Sequence, residues 1–331
     1  MTDLLLSFLP VPSPWGALLL FCAGLVLIIK GGDWFVDAAT WIAGVTGIPK
    51  FIVGATIVSL ATTLPELLVS CIATAGGNNE IAVGNAVGSV TANVGLIMAI
   101  SIAILPMVMK DRDIIVKGFI MMGATALLGA LCINGSMTAW EGLLLLCVLA
   151  VFTVMNVRAA KEHMDTAAGR EPATHVPTNL LKFIVGAAAI VAGAQLLVDN
   201  GTLLAKELGV SEKLIAVTMV AIGTSLPELV TTVSALIKKE PGMSLGNIVG
   251  ANIIDMTLIL PVCSFVSGGR LTVPKTGAAL PSLVTLDVPV TFGLMALAIL
   301  PTLYGKKFRR WQGVLMGALY IGYVLTIAFV L

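Results

Sequence analysis

The sequence predicts an all-α polytopic membrane protein, ten transmembrane helices arranged as two inverted five-helix repeats. Three observations predict it. The chain is 58% hydrophobic and 11% charged with a mean hydropathy of +1.03, whereas a soluble domain carries roughly 25% charged residues. Its apolar runs are long enough to cross a bilayer as helices, which satisfy every backbone polar group internally. And the chain contains itself twice, at an offset of 162 positions, with no gap needed to align the copies.

Taken in order, the spans cover 14–36, 50–75, 80–106, 113–133 and 138–157, then 179–205, 211–237, 242–267, 281–304 and 310–331. Residues 1–157 form the first repeat, 158–178 a polar connector and 179–331 the second repeat. Asp33 and Asp37 fall at the end of the first span. The connector holds His163 and His175 among Glu162, Asp165 and Glu171, and reads as a solvated linker rather than a metal-sensing loop. It is too short to be a domain of its own. Because each repeat has an odd number of spans, the second enters the membrane from the opposite side, the plan of many secondary transporters.

Most Lys and Arg fall on one side of the membrane, and only Lys206, Lys213, Arg270 and Lys275 on the other. By the positive-inside rule both termini lie outside the cell membrane and the connector in the cytoplasm. No Lys or Arg precedes the first apolar run, so a cleaved signal peptide is not expected. Cys22, Cys71, Cys132, Cys147 and Cys263 are scattered through apolar segments without metal-ligand spacing and read as packing residues. A net charge of +1 favours no charged partner, and none of the motifs suggests a nucleic acid.

The costly residues lie in the duplicated part. Ala221-Ile222-Gly223-Thr224-Ser225-Leu226-Pro227-Glu228 is followed by Gly246-Asn247-Ile248-Val249-Gly250-Ala251 and Asp255. Its twin is Ala61-Thr62-Thr63-Leu64-Pro65-Glu66, then Gly84-Asn85-Ala86-Val87-Gly88-Ser89 and Asn93. Pro65 and Pro227 each remove a backbone donor inside an apolar span, so a break that lines a polar cavity is expected at both. An ionised carboxylate at mid-membrane costs ~3 kcal/mol on insertion scales. Glu66 and Glu228 impose that cost twice, and the interiors of the second, third, seventh and eighth spans hold no Lys or Arg to offset it. A bound cation is the natural compensation. Ser89 and Asn93, four apart, share a helix face, and Asp255 takes the face of Asn93 in the second copy. Carboxylates, an amide and hydroxyls make an all-oxygen set without His or Cys. Such a set suits a hard cation such as calcium, which takes roughly 6–8 oxygens; sodium fits the same cage.

Thr224-Ser225-Leu226-Pro227-Glu228 with the following Gly-Asn-x-x-Gly, present in two halves, resembles the alpha repeats of the cation/calcium exchanger superfamily. It is most similar to those of the prokaryotic sodium/calcium exchangers. The resemblance covers nearly the whole chain, Gly31-Gly32-Asp33-Trp34-Phe35 included. It implies a secondary antiporter, not an enzyme, with calcium and sodium ions as substrates, no cofactor, and calcium export driven by sodium entry through alternating access. It implies that Glu66 and Glu228 are the central carboxylates. Thr62, Thr63, Thr224 and Ser225 would be flanking ligands, and Ser89 a sodium ligand. Asn93 and Asp255 would form a pair near the midplane, with the carbonyls of Ser59 and Ala221 completing the set. Ala251 departs from the family pattern, removing the hydroxyl that would mirror Ser89. An aspartate at 255 also resembles potassium-dependent relatives.

A proton/calcium exchanger is the runner-up, although that branch usually carries Gly-Asn ahead of the motif's glutamate. A cation channel commonly builds its pore from several subunits, whereas here a pseudo-symmetric site lies within one chain. An intramembrane aspartyl protease would need Asp37 and Asp199 beside the paired motifs, and they sit apart from them.

Overall fold

The computed structural model describes residues 13–106, 112–166, 174–208, 223, 225–273 and 283–329. The first half comprises α1 (Pro14–Thr46), α2 (Lys50–Ala75), α3 (Asn79–Ile104), α4 (Arg112–Leu131) and α5 (Ala139–Thr166). The second comprises α6 (Val176–Glu207), α7 (Leu226–Ile237), α8 (Pro241–Val266), α9 (Leu283–Gly305) and α10 (Arg310–Phe329). Among the described residues eight helices are long and apolar enough to cross a membrane, and α7 is a shorter apolar one. The first part of the predicted seventh span, 211–222, lies outside the described residues. Large apolar side chains such as Trp15, Leu19, Leu144 and Ile184 point outward, as a surface facing lipid requires.

The offset of 162 carries through to the backbone. α1 starts at Pro14 and α6 at Val176; α3 starts at Asn79 and α8 at Pro241. In α3 the regular helix gives way to a π-turn at Asn93–Met98, and in α8 at Asp255–Ile259. Asn93 and Asp255, paired by the sequence, therefore open equivalent irregular turns. π-turns insert a residue into the helix ladder and recur at functional sites.

Two glycine-lined contacts fix the arrangement. Along α1 and α6 a Cβ on Gly24 would lie 2.9 Å from the Gly193 carbonyl oxygen, and one on Gly31 2.9 Å from that of Gly186. The reciprocal approaches are equally close. As α1 numbers rise the α6 numbers fall, so the two helices lie antiparallel with backbone on backbone, the close packing that small residues permit. At the centre, Gly250 of α8 sits against α2, where an added Cβ would come within 2.6 Å of the Ala55 carbonyl oxygen and of Ser59 Oγ. That approach presses a π-turn of α2, Gly54–Val58, into α8. α3 and α8 are the most enclosed helices, and the main apolar core gathers around them.

Several expectations are corrected. Pro65 does not break its span: Ser59–Ala75 is continuous helix through it, and the irregular turn lies a few residues upstream at Gly54–Val58. Around Pro227 the expectation holds in part, because Ser225 is in a turn and α7 begins at Leu226. α1 does not end near 36 but runs to Thr46, where Gly47 stops it at φ 75°; Asp33 and Asp37 are thus internal to it. α5 runs to Thr166, so the predicted connector begins as helix, and His163 Nδ1 lies 2.8 Å from the Ala159 carbonyl oxygen within that helix. The fold also holds a small two-stranded ribbon, β1 (Ser136–Thr138) with antiparallel β2 (Arg270–Thr272), which ties the turn after α4 to the turn after α8.

Candidate cation site

α2 carries Ser59, Thr62, Thr63 and Glu66 at helical spacing, so one buried face presents three hydroxyls and a carboxylate. α3 contributes Ser89 and Asn93, α7 Glu228 with Ser225 in the turn just before it, and α8 Asp255, every one buried. Ala221 and Thr224 lie outside the described residues. Nine of the eleven residues expected from the sequence are thus described, and all nine are buried polar groups on the four central helices. The carboxyl of Glu66 interacts with those of Glu228 and Asp255, and that of Glu228 also with the Thr62 hydroxyl. Among the described residues these carboxylates do not close into a three-carboxylate cluster of metal-binding geometry, so an ion here would lean on hydroxyl, amide and carbonyl oxygens as well.

Unpaired buried polar atoms are numerous in this region, though they also occur elsewhere, as at Thr40, Trp41 and Asn156. Buried polar atoms are normally paired. Thr63 Oγ1, both carboxylate oxygens of Glu66, both amide atoms of Asn93, Ser225 Oγ, Glu228 Oε2 and Asp255 Oδ1 have no hydrogen-bond partner. Elsewhere, hydroxyls in the same helices return to their own backbone: Thr91 to the Val87 carbonyl at 2.8 Å, Thr231 to Pro227 at 2.7 Å. Several of the central oxygens are thus unspent, on carboxylates as well as on hydroxyls.

The ion pairs given by the described residues do not involve these carboxylates. Among the described residues Lys50 pairs with Glu240, Lys117 with Asp113, and Lys238 with Asp33 and Asp37. Glu228 lies in the first turn of α7, where the helix N-terminus favours negative charge. Glu66 sits mid-helix without that support.

The structure also brings in residues outside the ligand set expected from the sequence. Asn85 Nδ2 donates to the Glu66 carbonyl oxygen at 3.3 Å and to Ser70 Oγ at 3.0 Å, bracing α3 against the turn that carries Glu66. Asn247 does something else: its Oδ1 accepts from Thr62 Oγ1 at 3.3 Å, so an α8 amide crosses to the other half. Thr62 Oγ1 also donates to the Ser59 carbonyl oxygen at 3.2 Å. Asn252 lies one turn before Asp255; its Oδ1 is unpaired and its Nδ2 reaches only the Met121 sulfur, at 3.5 Å. Asn252 has Val90 as its counterpart in the first half, so the duplication gave no signal for it.

Residues 16–158 and 178–329 match the family of sodium/calcium exchanger proteins. The chain is 29% identical over 352 residues to the sodium/calcium exchanger MaX1 of Methanosarcina acetivorans, covering 94% of this chain and 98% of that one. It is 32% identical to an uncharacterised membrane protein of Methanocaldococcus jannaschii, covering 91% and 94%. Among solved structures it is similar to the sodium-calcium exchanger NCX_Mj soaked with 2.5 mM Na+ and 10 mM Sr2+. That likeness has a TM-score of 0.80 at 30% identity, covering 96% of this chain and 99% of that one. It is likewise similar to the same exchanger soaked with 2.5 mM Na+ and 0.1 mM Ca2+, with a TM-score of 0.79 at 31% identity.

Proposed function

The chain belongs to the sodium/calcium exchanger protein family, and we propose that it exchanges sodium for calcium across the membrane, calcium leaving as sodium enters. The observation that carries this reading is the set of buried oxygens of Thr63, Glu66, Asn93, Ser225, Glu228 and Asp255 that have no hydrogen-bond partner. Oxygens withheld from the protein's own hydrogen bonds, on carboxylates without a basic neighbour, suit a desolvated hard cation.

On this reading Glu66 and Glu228 are the central charges, shared by one calcium or by sodium ions in turn. Thr62, Thr63, Thr224 and Ser225 flank them, Ser89 serves sodium, and Asn93 and Asp255 stand on opposite sides of the cage. The carbonyls of Ser59 and Ala221 complete it. Asn85 and Asn247 position the cage without entering it. The family likeness and the spans of the sequence support ten crossings. The antiparallel fit of α1 on α6, with Gly24 on Gly193 and Gly31 on Gly186, supports inverted halves, because residues 162 apart exchange partners across that contact. Both termini are outside and Lys238 and Lys239 face the cytoplasm. The α1–α6 pair moves against the four central helices to open the site to each side in turn.

Calcium uptake into everted membrane vesicles, with and without an imposed sodium gradient, tests the exchange. Uptake should require the gradient. Uptake driven by a proton gradient instead would favour the proton/calcium branch, and single-channel currents would favour a pore.

A further inference from the structure

Ser234 and Lys238 lie one turn apart at the end of α7, and both meet α1. A Cβ on Gly32 would be 3.7 Å from the Ser234 Cβ. Lys238 Nζ donates to the Asp33 carbonyl oxygen at 2.9 Å and to Asp37 Oδ1 at 2.5 Å, with Asp33 Oδ1 at 3.8 Å. One ammonium thus joins the α1–α6 pair to the central helices.

The equivalent place in the first half is the end of α2. There the backbone repeats closely. Gly76 has φ −78° and ψ 2°, Lys238 φ −77° and ψ 2°. Gly77 and Lys239 both take positive φ, 83° and 61°. The turn hydrogen bonds match as well: Gly76 N to the Ile72 oxygen and Lys238 N to the Ser234 oxygen, each at 3.0 Å. Side chains alone differ. Lys238 is matched by Gly76, and the acidic pair Asp33 and Asp37 by Gln195 and Asp199. Gln195 Nε2 donates to both oxygens of Asp199, at 2.8 and 2.9 Å, within α6.

The two ends are also packed differently. Ser234 is 7% exposed under Gly32, whereas its counterpart Ile72 is 71% exposed and Leu68 60%. α1 covers its face of α7, and α6 leaves the matching face of α2 bare. If α1 and α6 move as one body, the opposite state would bring Ala194 toward Ile72 and Asp199 toward Gly76, which carries no charge.

We propose that Lys238 is a one-sided latch, joining α1 to α7 through Asp33 and Asp37, that makes the two access states unequal by favouring the one in which the Lys238 end is shut. This rests on the alternating-access reading above. The ion pair is partly solvated, Lys238 being 23% and Asp37 51% exposed, so it biases the populations without locking them.

The test uses full-length protein in vesicles with the five native cysteines replaced. The pair Gly32→Cys with Ser234→Cys reports the shut state, since about 3.5–4.5 Å between Cβ atoms suits a disulfide; Ala194→Cys with Ile72→Cys reports the opposite one. Copper-phenanthroline oxidises each, and initial cross-linking rates are compared. Lys238→Ala should slow the first pair and speed the second, shifting their ratio by about 3-fold. Asp37→Asn should act in the same direction. Gly76→Lys, which fits the backbone already in place, should speed the second pair by supplying the missing cation opposite Asp199. Rates unmoved by Lys238→Ala and by Asp37→Asn overturn the latch. Sodium-driven calcium uptake by the parent protein is measured in parallel. Its presence beside unmoved rates overturns the latch alone; its absence overturns the exchanger reading and the latch with it.

Discussion

Asn85 and Asn247 occupy equivalent positions in the two halves and do different work. Asn85 holds Ser70 and the Glu66 carbonyl within its own half. Asn247 reaches Thr62 in the other half, its Nδ2 is unpaired, and so is Thr232, the counterpart of Ser70. Similar divergence recurs at Asn93 against Asp255 and at Ser89 against Ala251, while Glu66 and Glu228 are kept alike. The duplicated backbone therefore fixes where two charges stand, and the halves differ in how the surrounding oxygens are held. Pseudo-symmetry holds for the two central charges and is relaxed in part of the shell around them.

That contrast predicts a ranking of effects. Glu66→Gln or Glu228→Gln should cost calcium binding the most, at least ~100-fold by calorimetry, because one charge cannot balance a divalent ion out of water. Substantial binding by either variant would mean that the charges lie elsewhere. Cross-linking α1 or α6 to the central helices should stop flux almost completely while leaving calcium binding intact. Undiminished transport by a fully cross-linked sample would rule out motion of the pair.

Smaller effects follow. Gly250→Ala should lower stability by ~1–3 kcal/mol, since its Cβ would meet the Ala55 oxygen and Ser59 Oγ at 2.6 Å; Gly242→Ala, with only the Phe51 nitrogen at 3.8 Å, should be tolerated. Thermal melts of the two variants check this, and equal melting temperatures would contradict the tight crossing of α2 and α8. The smallest effect is expected for Asp255→Asn. Two carboxylates already balance one calcium, and the matching residue is the neutral Asn93, so exchange should persist within about 10-fold. Sodium-driven flux of this variant, followed across pH and potassium concentration, would reassign the charges if it fell to nothing.

Much of this was legible in the sequence because bilayers penalise misplaced polarity. Glu66, Glu228 and Asp255 stand out in apolar runs, and an ungapped duplication ties them together. The π-turns were not legible: Gly54–Val58, Asn93–Met98 and Asp255–Ile259 arise from a slip of the backbone ladder that no side-chain pattern announces. Pro65 misled as well, since the helix Ser59–Ala75 passes through it unbroken. Helix ends were misplaced where helices outlast their apolar run: α1 continues to Gly47 and α5 through Arg158 and Lys161 because no breaker intervenes. The Asn247–Thr62 bond joins residues from opposite halves, which spacing along the chain does not reveal.

The central claim is that one oxygen cage around Glu66 and Glu228 serves both ions. Calorimetric titration of the purified protein with calcium at a series of sodium concentrations tests it most directly. The apparent calcium affinity should fall steadily as sodium rises and calcium is displaced from shared ligands; a calcium affinity indifferent to sodium would contradict it.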